Sequence, residues 1–514
     1  MDYMKEAVMI RKIFLPVLFV TSIIYLYFVT VAEGPIHADE ITGILLGKDI
    51  FLNGNFLMKD WNLTTGITTI QLLSAVILTY VFGNSYTVLY VISALHFAVL
   101  VNVIVYIVFK NSKGKNACVA AVCVLILTII PNSHSILNVC THTLVYAACT
   151  LIVYAMYKLY IRRSGPKVYI LAGIMVGALT SLNNTMLYYG VFPVILVGLL
   201  CLFWKKGYKE QNVLFIVCGF LEVIISKVCF AIWIYFRGED IFGVKEVFVS
   251  RENLVSNLVS VISNVLYEFG IDVWGKPLFS VSTLQAGTGL IVLFLVIKGL
   301  LLIGKLEEKK VILALCLLSI GLINIVAYGV SSIPSYSPDT HLMELFGMYM
   351  CAGFGIYVGN MEIKYDKRFL CLVNVFVLYF LLRSPELSII QCQSPTQNVA
   401  AFLEEQGFSK GFATYWEMGT LMSDSEYRMT VAPIAVDYSD PSRPEGIAGG
   451  WKWAAKNKWL EQEGEFIVFA KDNPYGIHAD KIIEDVGRPT QYLEVDDYGI
   501  LIYEDGVKLG HIFR

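Results

Sequence analysis

Apolar residues along this chain fall mostly into runs of roughly 17–25 residues between charged punctuation, the length of helix that crosses about 30 Å of hydrocarbon. The runs predict spanning helices at about 13–32, 87–109, 117–131, 142–161, 168–183, 185–204, 213–236, 286–304, 311–331, 342–359 and 369–383. Lys and Arg cluster at Lys5–Lys12, Lys110–Lys115, Arg162–Lys167, Lys205–Lys209, Lys305–Lys310 and Lys364–Arg368. The turns between them, 132–142, 183–185 and 331–341, carry no Lys or Arg. Short cytoplasmic loops hold the basic excess, so the N-terminus is expected inside and everything after Arg383 outside.

The run 67–82, ITTIQLLSAVILTYVF, is apolar enough to span. If it did, the charge bias of every later loop would reverse, so it is expected to lie along the outer face as an interfacial helix. The first run follows Arg11 and Lys12, is long for a signal-peptide core and lacks an A-x-A-like cleavage site, which predicts a retained helix. Three larger outer segments result: 33–86, 237–285 and the tail from 388. The second contains RENLVSNLVSVISNVLYEF, an amphipathic stretch suited to the interface. The tail opens with a helical QNVAAFLEEQ and continues with the alternating runs MTVAPI, EFIVFA and GILIY between turn signals such as DNPYG and EDG. The expected architecture is therefore an all-α polytopic membrane protein of about eleven spanning helices, residues 1–387, with a small extracytoplasmic α+β domain at 388–514.

Composition agrees. Apolar residues make up 56% of the chain, charged residues 16%, and the net charge of −3 gives nucleic acid nothing to bind. The eleven cysteines form no CxxC pair and sit almost entirely in apolar runs, as small hydrophobes. Cys392 alone belongs to the tail, which excludes a disulfide within it. No repeat of fixed period is present, and intramembrane charges are few, which argues against a transporter of duplicated halves.

Chemistry is expected where the outer segments meet the spans. Asp39 and Glu40, in GPIHADE, follow the first span closely. A carboxylate held near a bilayer surface can take a proton from a hydroxyl; a solvated acidic pair is the plainer reading. Lys227 lies inside the seventh span, where it either snorkels or faces a cavity, whereas Lys298 is placed to snorkel. Glu222 sits five residues from Lys227, roughly 140° around the helix, and is not its natural partner. His341 and Glu344, with His134 and His142, could gather around a divalent metal, but their spacing matches no ligand motif and no cofactor is expected. Trp61, Trp274 and the tail tryptophans could stack on sugars, though interfaces and small cores use Trp as readily.

The order of features adds a resemblance. Span one is followed by HADE, then GILLGKDIFLNGNFLMKDWNLTTG, an interfacial helix ending in FG, and span two. This order resembles the GT-C superfamily of membrane glycosyltransferases, in particular the branch of protein O-mannosyltransferases and the lipid A aminoarabinose transferase. At the other end, LEEQGFSKGFATYWEMGTLMSDSEYRMTVAPI resembles the tail of uncharacterised bacterial GT-C-like proteins, with GFATYW at 411–416 in place of their GYATYW. The resemblance implies a multi-pass enzyme of the cytoplasmic membrane. It would transfer sugar from a polyprenyl-phosphate-linked donor to an envelope glycan, lipid or protein acceptor. It implies Asp39 as the acceptor's base, with Glu40 supporting it. It also asks for a cation on the leaving phosphate. Relatives carry an Arg where this chain has His341, and Ser-Asp-Pro where it has Asn183, Asn184 and Thr185. Arg237, Lys276 and Lys227 are the replacement cations considered with His341, and Asn183, Asn184 and Trp61 are expected to line the polar site. The rival readings are a carrier of lipid-linked sugar and an inactive assembly protein of the same fold.

Overall fold

The computed structural model describes residues 2–33, 38–63, 69–83, 85–132, 137, 143–181, 183–239, 241, 248–331, 341–362, 367–385, 387, 394–435, 449–450, 455–472 and 478–509. Each of the eleven apolar runs coincides with a helix. In chain order the helices up to residue 203 are α1 (Asp2–Glu33), α2 (Ala38–Asn53), α3 (Thr69–Phe82), α4 (Tyr86–Lys110), α5 (Asn116–Thr128), α6 (Thr143–Ile161), α7 (Pro166–Thr180) and α8 (Phe192–Phe203). They continue with α9 (Lys209–Arg237), α10 (Leu254–Glu268), α11 (Val281–Leu302), α12 (Glu308–Val330), α13 (His341–Asn360) and α14 (Lys367–Arg383). Seven helices among the described residues are long and apolar enough to cross a membrane. The expected interfacial stretches are the separate helices α3 and α10.

Local signals set the ends. Ser85 caps α4 by accepting from the Val88 N–H at 3.4 Å, and Ser280 caps α11 through the Thr283 N–H at 3.3 Å. Gly238, at φ +78°, closes α9 in the left-handed conformation that an L side chain resists. The close pair of runs at 168–204 resolves into α7 and α8, with α8 entered through a turn Asn184–Met186 and a π-helical stretch Leu187–Val191. α4 runs through the centre, with Phe97, Leu100, Val101, Ile104 and Val105 fully buried.

Without a hydrophobic drive between helices in lipid, close approach rests on small residues. At the α7–α9 crossing a Cβ on Gly177 would lie 2.7 Å from the Glu222 carbonyl oxygen and 2.8 Å from Ile225 Cβ. Both obstacles are close to backbone and cannot swing away. Gly177→Ala is expected to destabilise the protein by about 1–3 kcal/mol, read as a lower thermal midpoint in detergent. Gly287→Ala, where nothing stands within 4 Å, should leave the midpoint unchanged.

The tail folds around one six-stranded sheet in the order β3-β2-β1-β4-β6-β5. Its strands are β1 (Lys410–Thr414), β2 (Thr430–Ala435), β3 (Gly449–Gly450), β4 (Glu463–Ala470), β5 (Gln491–Val495) and β6 (Tyr498–Lys508). β1 lies parallel between β2 and β4, and the other pairings are antiparallel. The helices are α15 (Gln397–Glu405), α16 (Tyr415–Asp424), α17 (Asn457–Leu460) and α18 (Ala479–Val486). MTVAPI, EFIVFA and GILIY are strands as expected. The helix between β1 and β2 was not expected, because Gly419, Thr420 and Ser423 interrupt its apolar face. That face is nonetheless buried: Met418, Leu421 and Met422 pack into a core that also contains Ile41, Ile44 and Leu45 of α2. The segment after α1 and the tail thus share one core.

Candidate active site

α2 begins with Ala38-Asp39-Glu40, directly after α1, and so carries the acidic pair in its first turn. The side chains of Asp39 and Glu40 lie outside the described residues, as do those of His341, His134 and His142. The far end of α2 is described in full. Asp49 is 7% exposed and accepts four hydrogen bonds. They come from Lys456 Nζ at 2.7 Å, Asn53 Nδ2 at 2.8 Å, Asn55 Nδ2 at 2.6 Å and Trp61 Nε1 at 2.8 Å. Burial alone would raise the Asp49 carboxyl, but these donors, Lys456 foremost, hold it well below the usual carboxylate range.

The loop after α2 is laced to the tail along its backbone. Trp61 and Lys456 form an antiparallel bridge, Asn62 N–H donates to the Ala455 carbonyl at 2.9 Å, and Asn457 N–H donates to the Asp60 carbonyl at 2.9 Å. The Trp61 ring meets Trp459 edge-on at 5.3 Å. Two further fastenings lie nearby. Lys48 Nζ sits 3.6 Å over the Tyr427 ring, and burial lowers its ammonium to about 8. Tyr86, the first residue of α4, donates to Asp424 at 3.2 Å, and Ser394 and Thr396 donate to the same carboxylate.

Arg237, proposed from sequence as a phosphate cation, is 2% exposed at the end of α9. Its guanidinium donates to the carbonyls of Met58 and Trp61 and pairs with Glu239 at 3.1 Å, while Glu239 accepts from the Asp60 N–H. In this arrangement it binds α9 to the loop behind α2, with Trp61 buried in the same joint. Lys276 stands in an exposed loop, 3.8 Å from Asp272. Lys227 and Asn184 are brought together, Nζ donating to Oδ1 at 3.2 Å, beside the turn that Asn183 caps through the Thr185 N–H at 2.9 Å. Two of the predicted polar positions and one predicted cation therefore form a single group next to the π-helical entry of α8.

A second polar group brings Glu344, considered from sequence only as a metal ligand, together with residues that sequence reasoning missed. Glu268 closes α10, Glu344 lies in the first turn of α13, and Asn132 follows α5. The Asn132 side-chain amide donates to Glu268 Oε2 at 2.7 Å, and its backbone N–H donates to Glu344 Oε1 at 3.2 Å. Arg383, the last residue of α14, donates to the Glu268 carbonyl and to the Tyr379 hydroxyl. Asn132, Glu268, Glu344 and Tyr379 line a small cleft with Thr128, Gly347 and Cys351. Among the described residues no His, Cys, Asp or Glu cluster is arranged to hold a metal ion.

No family model matches the chain, and no curated protein matches it. Among solved structures it is similar to ArnT from Cupriavidus metallidurans bound to undecaprenyl phosphate. The likeness is loose, with a TM-score of 0.42 and 9% identity, over 97% of this chain and 98% of that one.

Proposed function

We propose that this chain is an integral-membrane glycosyltransferase of GT-C type that moves a sugar from a polyprenyl-phosphate donor to an acceptor at the outer surface of the cytoplasmic membrane. The observation that carries the reading is α2. A helix with Asp39-Glu40 in its first turn leaves the first spanning helix, and its far end is immobilised by Asp49 against the tail. The loop beyond it is tied to α9 by Arg237. General-base chemistry needs a carboxylate held on a rigid element within reach of the acceptor.

The reading further takes eleven crossings with the N-terminus inside, so that Asp39, the Lys227–Asn184 pair and the tail all face the donor phosphate's side. The sugar's anomeric carbon would be attacked by the acceptor oxygen as Asp39 takes its proton, and the lipid phosphate would leave with the bonding electrons. Lys227, with Asn183 and Asn184 beside it, is the cation we assign to that phosphate; His341 and Lys276 are the remaining candidates.

The test is transfer of labelled sugar from a panel of synthetic polyprenyl-phosphate sugars to membrane extracts, using purified protein in nanodiscs. Transfer from at least one donor supports the activity. Donor binding without transfer across the panel would overturn it in favour of an inactive carrier of the same lipid.

A further inference from the structure

The GFATYW motif, which the activity above leaves unused, ends in a turn with a physical anomaly. Thr414 and Glu417 have the T-x-x-E spacing of a capping box, in which each side chain would satisfy the other's backbone N–H. Thr414 is the N-cap of α16 yet makes no side-chain cap. Its hydroxyl is buried without a hydrogen-bond partner, the residue being 2% exposed. Glu417 is 9% exposed, and its Oε2 is likewise unpartnered. Two buried polar groups left unsatisfied in one turn are costly, more than a helix start needs to forgo.

The turn also occupies a special place in the sheet. From β1 the chain passes through α16 to β2 on one side, while β4 lies parallel on the other. In open α/β sheets such a switch point, at the carboxyl ends of the strands, is where ligands bind. Tyr498 opens β6 opposite Ala470, the last residue of β4, and so stands at the same edge. Burial, and next the Glu417 charge, push its phenol up to about 12. Trp416, between the two unsatisfied residues, is 41% exposed.

We infer that the β1–α16 turn is a binding subsite for a neutral carbohydrate. The charges select that class. The helix dipole at the start of α16 disfavours a cation, and the Glu417 carboxyl disfavours an anion. Sugar hydroxyls both donate and accept, so they match the unpartnered Thr414 hydroxyl and Glu417 carboxyl oxygen, while Trp416 offers an aromatic face to the ring. Burial pushes the Glu417 carboxyl up to about 7, which suits a group that shares a proton with a hydroxyl. Any part of this subsite in holding the acceptor rests on the transferase reading; the binding site itself does not.

The experiment reads binding alone. Full-length protein in nanodiscs, free of sugar-based detergent, is titrated by tryptophan fluorescence with chitotetraose, mannotetraose and cellotetraose, and with tetragalacturonate and inorganic phosphate as charged controls. Saturable binding of at least one neutral oligosaccharide is expected, weakened about tenfold or more by Thr414→Val and by Glu417→Leu, the loss of one good hydrogen bond or more. Glu417→Gln, which keeps a donor and an acceptor, should retain most affinity. Thr414→Val should also melt at the same temperature or higher, since its hydroxyl has no partner to lose. The inference is overturned if no neutral oligosaccharide binds, if both apolar variants bind unchanged, if the charged controls bind this turn instead, or if Thr414→Val melts markedly lower.

Discussion

Lys456→Met should be among the most destabilising single substitutions in this protein, costing about 3 kcal/mol, the lower end of what breaking a buried ion pair costs. The lower end applies because three donors, from Asn53, Asn55 and Trp61, remain on Asp49 when the ammonium is gone. The charge left behind is nonetheless buried at 7% exposure. Asp49→Asn should cost a similar amount by stranding Lys456, itself 9% exposed. The double variant should cost clearly less than the sum, because it strands neither charge. Thermal unfolding of the four proteins in one detergent gives the cycle, and strict additivity would mean that the pair is not energetically coupled.

The same joint sets a pH dependence with a definite sign. A carboxylate whose folded-state pKa is depressed contributes stability that is present above its unfolded value, about 4, and is lost as the pH falls below it. Wild type should therefore lose midpoint between about pH 4 and pH 2 by more than Asp49→Asn does. Because Arg237 ties the same loop to α9, damage here should loosen α2 without touching the spanning helices.

How far this was legible in the sequence depends on the range of the interaction. The apolar runs, the two amphipathic or apolar stretches that became α3 and α10, and the strands β2, β4 and β6 are local periodicities, and each is a helix or strand as its pattern predicts. The joint is not local. Asp49 and Lys456 are separated by 407 positions, and in GKDIFLNGN an aspartate reads as an ordinary solvated loop residue. Arg237 shows the same limit, since a basic residue at the end of a helix suggests a surface charge and nothing in its neighbours foretells the carbonyls of Met58 and Trp61. Glu268, Asn132, Glu344 and Arg383 come from four segments, and nothing local in any of them points to the other three. A usable signal did exist for Arg383 and Glu268: both are charged and stand at the very end of an apolar or amphipathic helix, where an unpaired charge is costly. α16 was missed for a different reason, because its burial is supplied by α2 rather than by its own periodicity.

Asp39→Asn should abolish most sugar transfer, lowering the rate by about 10²–10⁴, the usual worth of a positioned base, with little change in the affinity for the lipid donor. Adjacent residues on a helix point roughly 100° apart and do not share a target, so Asp39 and Glu40 should not be interchangeable. Glu40→Gln is therefore expected to stay within about tenfold of wild type, a loss no greater than one supporting hydrogen bond. Asn keeps the size of Asp, which separates lost chemistry from lost folding, and an unchanged thermal midpoint checks it. The reverse pattern, with Glu40→Gln inactive and Asp39→Asn active, would move the base by one residue and keep the mechanism. Full transfer by both variants would remove the acidic pair from the reaction. Lys456→Met supplies the link between joint and base. If α2 must be held for Asp39 to meet its acceptor, that variant should lose rate at a temperature where it is still folded, while its donor affinity stays that of the wild type.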